Sequence, residues 1–132
     1  MKYMLLMSAT KEAFEWYSKW PKEDLAANIA FMRNFNTELK ESGVLVQTAG
    51  LAYPDQAKLV RGDRKTGEPI TDGVFPESKE FLAGWWIIDV ENADEAYKIA
   101  ARASLAPAPA GVTETMPIEV REVMNRSPHC AD

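Results

Sequence analysis

Asp72 has the residue type and surroundings to do chemistry: a carboxylate before a glycine, in a polar stretch that runs into a long apolar one. Such a carboxylate can act as a general acid, a general base or a group that orients a ligand. Glu77, Ser78 and Lys79 follow, and they could supply an ion pair or a donor to an anionic substrate group. The bland alternatives stand beside these roles, since Asp-Gly pairs mark turns and short polar runs in loops are often just solvated. Trp85 and Trp86 are adjacent in an extended stretch, so they point to opposite sides of it. One packs in the core, and the other can form, with Tyr53 and Trp16, a flat apolar wall suited to an aromatic ligand. His129 and Cys130 have metal-binding atoms but lack the further spaced ligands a zinc site needs, so no metal is expected. No cofactor is expected either, because no phosphate-binding loop, dinucleotide fingerprint, serine elbow or CxxC occurs. Ser104 and the proline-rich stretch after it could gate a pocket.

Those side chains need a scaffold, and 132 residues with 46% hydrophobic content suffice for one domain with a single core. The net charge of -5 argues against a nucleic-acid partner, which requires clustered Lys and Arg. One cysteine excludes an internal disulfide and suits a reducing compartment. MKYMLLMSATKE is too poor in apolar residues for a signal peptide or a membrane span, so the cytoplasm is expected.

Residues 2 to 8 are apolar on both faces of an extended segment, as expected of an interior strand. Residues 9 to 20 read as a connection carrying Phe14, Trp16, Tyr17 and Trp20. Pro21 opens a helix with Glu23 and Asp24 in its first turn and a stripe of Leu25, Ile29, Met32, Phe35 and Leu39, ended by Gly43. A strand over 44 to 49 has Val44 and Val46 on one face and Gln47 on the other. Residues 57 to 71 form a small hairpin outside the core with a mobile tip, and Asp72-Gly73 is the turn beyond it.

Phe81 to Val90 is the second strand apolar on both faces. Asn92 caps a helix with a narrow stripe of Ala96, Ile99, Ala100 and Ala103. Residues 104 to 115 are a loop or lid. Ile118, Val120, Val123 and Met124 mark a last strand, and 125 to 132 read as a frayed tail.

This order is the ferredoxin-like βαββαβ unit with an inserted hairpin, an α+β fold. Its first and third strands are central and its second and fourth are edges, which agrees with where the doubly apolar stretches fall. Two helices cover one face of a four-stranded sheet. The other face carries either Trp86, Ile88, Met4 and Leu6, or Trp85, Ile87, Leu5 and Met7. An apolar face of that size predicts a homodimer with sheets packed face to face.

MKYMLLM, ELKESGVLV, TDGVFPESKEFLAGWWIIDVENADEAYKIA and IEVREVM together resemble the YCII-related proteins of the DGPF type over nearly the whole length. The resemblance implies a dimeric α+β barrel in a superfamily of isomerases, monooxygenases and haem enzymes. DGPF-type proteins mostly lack an assigned reaction. Gene neighbourhoods in this family also imply a partner, an extracytoplasmic-function sigma factor. Val74 stands where the motif has proline, and Pro76 follows two residues later. Some relatives carry a His-Asp pair, but the lone histidine here is His129, so the pair does not carry over.

Two readings follow. In one the protein is a homodimeric enzyme acting on a small aromatic or carbonyl compound, with Asp72 as acid or base and Lys79 orienting. In the other it is a non-catalytic module, a ligand sensor or an accessory to a sigma factor.

Overall fold

The computed structural model describes residues 1–73 and 79–124. Four strands form the main sheet: β1 (Lys2–Thr10), β2 (Leu45–Gly50), β5 (Glu80–Asp89) and β6 (Ile118–Glu122), in the order β2-β5-β1-β6. All three pairings are antiparallel. The expected ferredoxin-like arrangement is present, with β1 and β5 central. Among the described residues β3 (Lys58–Gly62) and β4 (Pro69–Gly73) pair only with each other, as the separate hairpin.

Three helices accompany the sheet: α1 (Lys11–Ser18), α2 (Lys22–Glu41) and α3 (Ala93–Ser104). α1 corrects the expectation of an irregular connection over 9 to 20. Thr10 caps it by accepting from the Ala13 amide at 3.2 Å, which satisfies an otherwise orphaned helix-start donor. Trp16 and Trp20 then meet at an i, i+4 spacing that the aromatic composition had masked.

α2 buries Phe35 and Leu39 of its stripe, whereas Ile29 toward the other end is exposed. Gly43, at φ 79°, takes the left-handed conformation that ends the helix. In α3 the four expected stripe residues are all buried, and Asn92 accepts from the Glu95 amide at 3.0 Å.

The core lies between the helices and one face of the sheet, where Tyr3, Leu5, Trp86 and Ile88 meet Phe35, Leu39 and the alanines of α3. Register corrects both expected sets for the second face. Leu5 pairs with Trp86 and Leu6 with Trp85. The open side therefore carries Met4, Leu6, Trp85 and Ile87, since paired residues share a face.

Two bulges reset the alternation. The β1–β5 register slips between Met7 and Ser8, where Gly84 and Leu82 are the partners and Ala83 is the extra residue. In β2 the slip leaves Val46 unpaired between Leu45 and Gln47, so the expected Val44/Val46 face does not form.

Candidate functional site

The sites predicted from sequence divide between the sheet and one end of it. Trp86 is committed to the core: it is 4% exposed, its ring meets Phe35 edge-on at 5.8 Å, and its Nε1 donates to Asn36 Oδ1 at 2.7 Å. A tryptophan with its ring packed and its donor satisfied is a structural anchor. Trp85 points the other way, is half-buried, and stands between Leu6 of β1 and Ala49 of β2. It is therefore the tryptophan that faces the open side.

Thr10 pairs with Glu80 and Gly50 with Gly84, so β1 and β2 end where β5 begins. α1, the 51–57 segment and Lys79 all lie at that end. Tyr53 is 45% exposed and meets Phe14 of α1 edge-on at 5.8 Å. Trp16, 48% exposed, meets Trp20 at 5.3 Å, and Tyr17 lies 4.8 Å from Trp20. Tyr17 donates to Asn28 Oδ1 at 3.4 Å, and Asn28 Nδ2 donates to the Pro107 carbonyl at 3.0 Å. Burial, then the neighbouring Tyr53, push the Tyr17 phenol above its ordinary value. Trp20 Nε1 is buried and has no acceptor among the described residues.

Asp72 is not in a turn. It lies in β4, opposite Leu59, because the hairpin ladder runs on to Gly73. Its carboxylate is 62% exposed and 3.8 Å from Arg61, with which it shares a face of the hairpin. Lys79 is exposed just before β5. Glu77 and Ser78 lie outside the described residues, as do Val74 and Pro76 of the motif and His129 and Cys130 of the tail.

The structure thus brings Tyr53 and α1, which carries Trp16, to one end of the sheet, with Trp85 on the adjoining open face. It leaves Trp86 behind that face and Asp72 on the hairpin. Two grooves lie elsewhere, and neither includes a predicted site residue except Ser104 of the suggested gate. One, of about 310 Å³, runs between α3 and the start of β6, past Tyr97, Ser104, Met116 and Ile118. The other, of about 360 Å³, lies between α2 and α3, where Arg102 stacks over Phe35 and pairs with Glu38. Among the described residues no cluster of His, Cys, Asp or Glu could hold a metal, and no helix is long and apolar enough to cross a membrane.

Sequence reasoning assigned no role to Asn28 or Asn36 of α2. A signal was available: each asparagine sits beside the apolar stripe, where a tryptophan or tyrosine reaching the helix needs an acceptor.

A four-stranded antiparallel sheet of this order, helices on one face and an inserted hairpin, defines a ferredoxin-like α+β protein. The YCII-related domain model matches residues 1–122, and the chain belongs to that family. A comparison with curated proteins finds no match.

Proposed function

We propose that the protein is a homodimer that binds a small aromatic or carbonyl compound in a chamber between two sheets packed open face to open face. The observation that carries this reading is the composition of the open side: Met4, Leu6, Trp85 and Ile87 run down its centre, half-buried in a single chain. Gln47 on β2 and Glu119 and Arg121 on β6 make its margins polar. An apolar centre with a polar rim is the usual composition of an interface. A chamber left within it has an indole wall suited to a flat ligand.

Binding is favoured over turnover. Asp72 is solvated and already ion-paired, and among the described residues only Arg61 pairs with it. Asp72 as acid or base and Lys79 as orienting cation belong to the enzymatic version of the same proposal. A sensor built on this chamber would need neither.

Light scattering on the purified protein should give a mass about twice the 14.8 kDa of one chain. A single-chain mass at micromolar concentration overturns the reading. Given a dimer, titration with aromatic acids and lactones should quench tryptophan fluorescence in the native protein and much less in Trp85→Ala. Turnover of any such compound that is unchanged in Asp72→Ala removes the acid-base role.

A further inference from the structure

Among the described residues, no element packs extensively against the β3–β4 hairpin. All ten of its strand residues are exposed, and its apolar side chains are out of place in water: Leu59 is 50% exposed, Val60 60% and Ile70 37%. An isolated two-stranded hairpin is marginal in water, and stability normally requires a third strand or a packed face. This hairpin is nonetheless fully specified in sequence. Asp63 Oδ1 accepts from the Lys65 and Thr66 amides at 2.8 and 3.0 Å, and Gly67 supplies the positive φ that closes the turn. A ladder so defined, with apolar residues facing solvent, is built to pack against something.

We propose that the hairpin is an exchanged arm, which lies over the rim of the open sheet face of a second copy of this chain and closes the chamber described above. The inference rests on that sheet-to-sheet dimer and adds to it that each chamber is completed by the other chain. Three observations select a second copy as the occupant. One face of the hairpin carries Leu59 and Ile70 together with the Arg61–Asp72 ion pair. The open sheet face offers an apolar centre bordered by the Glu119–Arg121 pair on β6, so each surface presents apolar area beside one charge of either sign. Reach also agrees. The hairpin springs from the sheet end where β2 stops and β5 begins, and its five-residue strands extend about 17 Å, against about 10 Å between stacked sheets.

This placement changes what Asp72 is for. In its own chain the carboxylate faces solvent. In the exchanged dimer Asp72 and Arg61 arrive at the chamber that holds Trp85 of the partner subunit. The polar and the aromatic halves of the site then come from different chains.

Amide hydrogen exchange over a concentration series, with mass measured in parallel by light scattering, tests the arm. The amides of Lys58–Gly62 and Pro69–Gly73 that bond across the ladder should gain protection as the dimer forms and lose it on dilution. A dimer whose hairpin amides exchange freely at every concentration overturns the arm and leaves the sheet dimer standing. A single-chain mass throughout overturns both. Protection that survives dilution to the single chain also overturns the arm. The double variant Leu59→Lys/Ile70→Lys should weaken dimerisation by about tenfold or more, equivalent to about 1.4 kcal/mol, with an unchanged circular dichroism spectrum. Dimerisation equal to the native protein's in that variant refutes the proposal.

Discussion

Trp85 and Trp86 are neighbours in the chain, and their surroundings have little in common. Trp86 faces helices, contacts Phe35 and has its ring nitrogen bonded to Asn36. Trp85 faces the side that no helix covers and is only half-buried between strands. The backbone is the same strand, so the difference comes from what lies above each face. One face holds the domain together, and the other leaves its apolar side chains half-buried. Residue type alone does not separate the two roles, because an apolar stretch serves a core and an interface equally well.

Substitutions along β5 can break that contrast. Trp86→Ala should destabilise by about 3–5 kcal/mol, the range for truncating a buried aromatic, read from urea denaturation midpoints. Asn36→Ala should cost about 1–3 kcal/mol, because the indole donor stays buried without its acceptor. A loss in Asn36→Ala as large as that in Trp86→Ala would mean that the hydrogen bond, rather than the packing, makes Trp86 an anchor. Gly84→Ala should cost a similar 1–3 kcal/mol by crowding, since its new methyl would meet the Ala49 carbonyl oxygen at 3.1 Å in the β2–β5 seam. Trp85→Ala should shift the chain's own stability by only about 1 kcal/mol while impairing dimerisation. If Trp85→Ala unfolds the isolated chain as readily as Trp86→Ala, the two faces are not distinct in kind.

The smallest expected effect is local and depends on pH. Hydrogen bonds donated by the Thr66 and Lys65 amides hold the Asp63 carboxyl below its ordinary value of 3.8. A lowered value in the folded state stabilises the charged form, so its contribution is present above pH 3.8 and lost as pH falls through the lowered value. The protection factors of the Lys65 and Thr66 amides should fall in that acid window, while those of the β1–β5 amides hold. Simultaneous loss in both places would mean that the hairpin and the sheet open as one unit.

The sheet order was legible because apolarity on both faces marks a central strand, and β1 and β5 were the two stretches that had it. The α3 stripe was legible for a similar reason: Ala96, Ile99, Ala100 and Ala103 repeat at helical spacing with no competing residues. α1 was not: Phe14 and Tyr17 stand three apart and Trp16 and Trp20 four apart, but the helix is only eight residues long, Lys11–Ser18, too short for that spacing to repeat. The facing of Trp85 was not legible either. It depends on cross-strand register, which a one-residue slip reverses, and the extra residue at Ala83 has no distinctive sequence mark. Asp72 was misread for a related reason: Asp-Gly suits a turn, yet pairing with Leu59 carries the strand through it.

The link from Tyr17 through Asn28 to the Pro107 carbonyl ties the first helix, by way of the second, to a segment 79 positions beyond Asn28. Tyr17 also rests against Trp20, so a shift of the proline-rich segment would alter the electronic surroundings of an indole already built into the chain. The protein thereby carries its own optical gauge of that segment's position, readable as a change in emission wavelength with no added label.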